Sequence, residues 1–240
     1  MNATLPEPSR HLYIGVIAFA AVVVFVGFAP SFYLRGFFHE PPLSSLAMAH
    51  GAVASAWIVL LLTQSLLVRT GNVHLHRQLG VAGAVLAAVM VALGVWTALV
   101  AAAHGTIGDR VHAPPLEFLI VPLGQILIFG VLTAVAIALR RRPEVHRRLM
   151  IVATIHLTPP AVVRAAQGLL HVDSPLPALV IASALVILCI VYDAVTRGRV
   201  HPVFAVLAPM TILSFPARIA FSHTATWHSI AGWLVRGISQ

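Results

Sequence analysis

Two short stretches write the same step. LHRQLG at 75–80 and VHRRLM at 145–150 each place His-Arg-x-Leu where a long apolar run begins. His50 and His156 stand inside such runs, and Arg164 lies further along the run that holds His156. Imidazoles on neighbouring helices can hold a haem iron between them. They can also relay protons, and a guanidinium among them can bind a carboxylate, a phosphate or a haem propionate. The plainer reading of His76-Arg77 and His146-Arg147 is interfacial: Arg reaches for headgroups and His caps the helix start. Arg at these places follows from topology, but His beside it does not. His50 and His156 are far from any interface, where a polar side chain is costly and functional use becomes the default hypothesis.

The elements that must carry these residues are membrane spans. The 240-residue chain is 59% hydrophobic and 9% charged, with a mean hydropathy of +0.94. A soluble domain is about half apolar and about a quarter charged. The composition therefore predicts a single integral membrane domain over 1–240, an all-α polytopic bundle. Spans need roughly 20 apolar residues, and seven segments qualify: 12–34, 43–68, 78–103, 115–139, 148–170, 176–196 and 203–221. The first is too long for a signal-peptide core and reads as a retained span.

Every basic residue is Arg. The formal charge of +8 reads as topology rather than as a nucleic-acid footprint, because most of the Arg flanks apolar runs. Loops on one side carry Arg10, Arg69, Arg77, Arg140, Arg141, Arg142, Arg147, Arg148, Arg197 and Arg199. The other side carries Arg35, Arg110 and Arg236. The positive-inside rule then puts the N-terminus inside and the C-terminus outside; a bacterial cytoplasmic (inner) membrane is the expected location. Residues 224–237 place Trp227, Ile230, Ala231 and Leu234 on one face. That pattern predicts an interfacial helix with Trp227 and Trp233 as aromatic anchors.

On the fifth span, at about 100° per residue, His146, Ala153, Arg164, Gln167, His171 and His156 fall in a stripe about 80° wide. Such a stripe must face the bundle interior or a wet cavity. Pro159-Pro160 interrupts the same span, freeing carbonyls one turn back and kinking it. A broken helix beside a buried His and Arg is a candidate site. His50, Trp57 and Gln64 share a face of the second span. On the third, His76, Gly80, Gly83, Ala87, Met90 and Gly94 form a face of mostly small residues for a neighbouring helix or a flat cofactor. Glu117 is the expected partner of Arg164 or Arg218. His39, His104, His112, His171, His223 and His228 lack tight metal-ligand spacing. A lone Cys189 excludes intrachain disulfides and Cys-x-x-Cys-His haem attachment. Phosphate-cradling glycine loops, His-Glu-x-x-His and Gly-x-Ser-x-Gly are absent.

The stretch from HGAVASAWIVLLL through LHRQLG to PEVHRRLMIVATIHLTPPAVVR resembles a set of uncharacterised bacterial multi-pass membrane proteins. They share a His near one span's start, His-Arg-x-x-Gly opening the next, and His-Arg-x-x-Met with a downstream Arg. His50, His76 with Gly80, His146 with Met150, and Arg164 match those positions. The Leu-His-x-x-Leu-Gly step is also similar to that of cytochrome b561-type electron-transfer proteins, in which four His on four consecutive helices hold two b haems. Here the fourth span has no internal His, so the resemblance implies one haem b, held by His76 and His146 or by His50 and His156. Arg164 would then serve a propionate or a quinone.

Three functions follow as expectations. The first is a b-haem or quinone-linked electron-transfer protein with a redox partner. The second is a small-solute transporter or channel whose site is His156 and Arg164 at the broken span. The third is a structural subunit of a membrane complex.

Overall fold

The computed structural model describes residues 7–108 and 112–238, with side chains from residue 12 onward in the first helix. Every regular element among the described residues is a helix. Six helices among the described residues are long and apolar enough to cross a membrane, and a bent pair brings the number to seven where it is counted as one span. They are α1 (Glu7–Phe28), continued by a π-helical turn (Ala29–Tyr33), then α2 (Ser45–Arg69) and α3 (Val73–Ala103). After these come α4 (Pro115–Ala138) and the bent pair, α5 (Pro143–Ile155) and α6 (Pro159–Leu170). α7 (Leu176–Arg197), α8 (Pro202–Ser222) and a short α9 (Ala225–Val235) complete the chain. Large apolar side chains such as Val81, Val131, Val195 and Leu213 point outward, as a bundle solvated by lipid requires.

Local chemistry sets the ends. Asn72 accepts from the Leu75 amide and starts α3 several residues before the apolar run, so His76 lies within the helix rather than at its edge. Ser44 and Thr224 cap α2 and α9 in the same way. Gly198 ends α7 with φ 67°, a conformation that costs glycine nothing. Pro30 opens the π-helical turn of α1, which the sequence reading did not anticipate.

The packing order explains where there is room. α1, α2, α3, α4, α8, α7 and α6 touch in sequence around a ring, and α6 closes it against α1. α5 instead contacts α4, α1, α8 and α7, and so fills the middle of the ring at one end. Its residues Leu149 and Ile151–Ile155 are buried accordingly, together with Trp57, Phe129, Val186 and Phe204. Between Ile155 and Pro159 the span bends by 40°. Beyond the bend it becomes part of the wall, and the centre of the other end is left open. The Cβ that glycine lacks at Gly27 would strike the Ala161 backbone, so that wall contact between α1 and α6 depends on Gly27.

The arginine-bearing loops after α2, α4 and α7 share the end filled by α5. Arg35 and Arg236 are at the other end, and Arg110 is outside the described residues. α9 does not lie free as an interfacial helix. Trp227 is buried and donates from Nε1 to the Leu116 carbonyl at 2.8 Å. Ala231 is buried with it, against Ala98, Ala102 and Leu119. Trp233, at 69% exposure, keeps the orientation expected of an anchor.

Candidate functional site

The open half holds a cavity of about 360 Å³. His50 from α2, Gln125 from α4, His156 at the break, Arg164 from α6 and Thr211 and Arg218 from α8 all line it. Three of the five residues singled out in the sequence therefore meet in one place. The other two do not: His76 and His146 are within electrostatic range of each other at the arginine-rich end and line neither of the cavities described here.

Each side chain is held for a local reason. The chain at the break turns tightly, and the Thr158 hydroxyl and amide both donate to the Ile155 carbonyl, at 2.8 and 3.1 Å. This satisfies a carbonyl that Pro159 cannot reach. His156, the first residue of the turn, is buried with Nε2 3.2 Å from Thr211 Oγ1. Arg218 donates from Nε to the Ser214 carbonyl at 3.0 Å and from Nη1 to the Val121 carbonyl. Gly124 makes room for it, since a Cβ there would overlap the Arg218 stem. Arg164 lies over the Phe28 ring at 4.7 Å and donates to Ser31 Oγ at 3.4 Å. His50 Nδ1 is buried and makes no hydrogen bond. A buried imidazole nitrogen left in this state costs about 1–3 kcal/mol, unless a ligand or water meets it.

Glu117 is not the partner of these arginines. Its two oxygens face His223 Nδ1 at 3.0 Å and His228 Nε2 at 3.7 Å, tying α4 to α9. Among the described residues, no Asp or Glu lines the cavity. Its described side chains contribute two guanidinium groups, two imidazoles, an amide and hydroxyls, set in an apolar wall. Apolar pockets with a few converging polar groups are the usual form of a small-molecule site, and 300–1,000 Å³ is their usual size.

The residues can be tested against a haem. The small-residue face of α3, which could have received a flat macrocycle, is taken by neighbouring helices. A Cβ at Gly83 would meet Leu60 at 3.1 Å, and one at Gly94 would meet Ile126 at 2.8 Å. The cavity joining His50 to His156 is near the small end of ligand sites, too confined for a rigid tetrapyrrole without moving that wall. His146 is oriented as ligating His often is, with Nδ1 2.7 Å from the Ala136 carbonyl, yet no described cavity opens on it. The fit to haem is poor. Among the described residues, no group of three or more His, Cys, Asp or Glu is spaced to hold a metal ion.

The opposite end contains a cluster that the sequence reading treated as topology. Arg148, with 0% of its side chain exposed, makes a two-pronged pair with Asp193, at 2.9 and 2.6 Å, and also reaches Glu144 at 2.8 Å. Arg147 and Arg197 bind the same Glu144 oxygen. The available signal was Asp193 itself, a carboxylate inside an apolar run.

No family model, curated protein or solved structure matches the chain.

Proposed function

We propose that the chain binds a small, acceptor-rich organic anion within the membrane and carries it across, with the broken span as the moving part. One observation carries this reading. The cavity opens where the span bends, and it gathers Arg164, Arg218, His50 and His156 with no described carboxylate in its wall. Arg218, half-buried and held by backbone carbonyls, puts a positive charge in the wall of a largely apolar cavity, where an anion's charge has a larger effect than in water. The double proline gives the helix a point about which its two halves can reorient, as in transporters with discontinuous helices. Under the positive-inside rule the arginine-rich end faces the cytoplasm of a bacterial inner membrane, and the cavity lies in the outer half.

The test is uptake of labelled small mono- and dicarboxylates into proteoliposomes containing the purified protein. Uptake that falls at least tenfold in Arg218→Gln supports the proposal. Uptake unchanged by Arg218→Gln or Arg164→Ala, across the whole panel, ends it.

A quinone-linked or haem-linked electron-transfer role is the second reading. It rests on the same donors, which also suit quinone carbonyls, and on the orientation of His146. An absorption spectrum of oxidised and dithionite-reduced protein from haem-replete cells separates the two. Low-spin haem bands lost in His146→Ala would replace the transport proposal, and a featureless spectrum removes the haem.

A further inference from the structure

Hydroxyls on helical side chains commonly donate to a carbonyl of their own segment. In the wall of the cavity at the break, Thr106, Thr211 and Ser214 do so, reaching the carbonyls of Ala101, Leu207 and Thr211 at 3.2, 2.8 and 3.2 Å. Thr97, in the same wall, does not: its Oγ1 is buried and makes no hydrogen bond. The two histidines of the wall divide in the same way. His156 meets Thr211, whereas His50 Nδ1 is buried without a partner.

His50 and Thr97 are neighbours. A Cβ at Gly94 would lie 3.6 Å from His50 Cε1, the atom bonded to Nδ1. Thr97 follows Gly94 by three residues, about one turn along the same face of α3. A second cavity, of about 380 Å³, is lined by Phe28, Phe32 and Tyr33 from the end of α1 and its π-helical turn. His50 and Thr97 belong to its wall and to the wall of the first. Two unpaired polar atoms from adjacent helices therefore stand between two spaces large enough for a small molecule.

Their chemistry narrows what can meet them. Imidazole Nδ1 donates or accepts according to tautomer, and a threonine hydroxyl does both. A ligand hydroxyl can donate to one and accept from the other, and a ligand carbonyl oxygen can accept from both. A methyl or methylene group in the same place leaves both atoms unpaired in an apolar wall, which is the costly outcome.

We propose that His50 and Thr97 are a specificity-determining pair that receives an uncharged oxygen of the ligand, so that the preferred solutes are small hydroxy- and oxo-carboxylates rather than unsubstituted ones. The carboxylate in this proposal rests on the transport reading above, with Arg218 as its partner. Recognition of the second oxygen does not depend on movement across the membrane.

Lactate, pyruvate and propionate share one carbon skeleton and differ in the oxygen at the second carbon. Uptake of each labelled acid into proteoliposomes is compared, and the Tm of the detergent-solubilised protein in each acid gives a readout that needs no transport. The parent should favour lactate or pyruvate over propionate by about tenfold or more. Thr97→Val, alike in shape but lacking the hydroxyl, should remove most of that preference, as should His50→Leu, while Thr97→Ser should keep most of it. A threonine with a merely structural role would lower uptake of all three acids together and leave their ratio alone. Monodisperse elution of each variant guards against misfolding.

Equal handling of the three acids by the parent, or a preference that survives both Thr97→Val and His50→Leu, overturns the inference and leaves carboxylate transport standing. A parent that neither carries nor is stabilised by any of the three overturns it as well. Stabilisation by lactate and pyruvate but not propionate, without uptake of any, would keep the recognition pair and remove the transport reading.

Discussion

The two ends of the bundle use arginine in opposite ways. At the filled end, Arg147, Arg148 and Arg197 converge on Glu144 and Asp193, so three guanidinium groups share two carboxylates. At the open end, Arg218 is held by two backbone carbonyls beside a cavity. The side chain is the same and the partners differ. An acid neutralises an arginine and closes the structure around it, as the position of Arg148 in mid-core illustrates. Backbone carbonyls orient an arginine without cancelling its charge.

That contrast can be broken, most forcefully at Asp193. Asp193→Ala leaves Arg148 buried without its main counter-charge and should cost about 3–5 kcal/mol, read as loss of monodisperse protein or a large fall in Tm in detergent. If Arg218→Gln proved as destabilising, the distinction between the ends would fail. Replacing both members, Arg148→Met with Asp193→Leu, should instead leave stability within about 2 kcal/mol of the parent and leave uptake intact. A double variant that folds but no longer transports would move the closed cluster into the mechanism.

Gly124→Ala sharpens the comparison from the cavity side. The new methyl group displaces the Arg218 stem, so uptake should drop severalfold while stability falls by about 1–3 kcal/mol. Removing the tie between α9 and α4 should matter less: Trp227→Phe loses its bond to Leu116, worth about 1 kcal/mol. The smallest effect is expected at His39, His112 and His171, whose φ values are 56°, 53° and 54°. His→Gly at each relieves a left-handed backbone and should shift stability by no more than about 1 kcal/mol, with uptake unchanged.

The spans were legible because lipid demands long apolar runs, and each run proposed from the sequence holds a helix or the bent pair. The gathering of His50, His156 and Arg164 was legible for a related reason: polar groups in apolar helices must turn inward. What escaped depended on tertiary placement. Glu117 is one turn before Val121, whose carbonyl Arg218 reaches, yet the turn from α8 into α9 brings His223 and His228 to its carboxylate. Trp227 has the composition of an interfacial anchor, but a carbonyl at Leu116 was free to accept from it. Arg148 was counted as a topology signal because Asp193 is remote in the sequence. His171 belonged to the angular stripe of a straight helix; in the bent one it ends α6 in the left-handed region, exposed.

The seat of Arg218 also has a consequence in time. Gly124 and the Val121 carbonyl form one side of it, and the guanidinium that fills it is attached 97 residues later. At about 5–20 residues per second, a ribosome needs roughly 5 to 20 s to supply that side chain. During this interval α4 is already made, with an uncovered notch where the arginine will go. The cavity wall is thus completed late, and a stall in synthesis between α6 and α8 would leave a bundle holding His50, His156 and Arg164 but lacking Arg218.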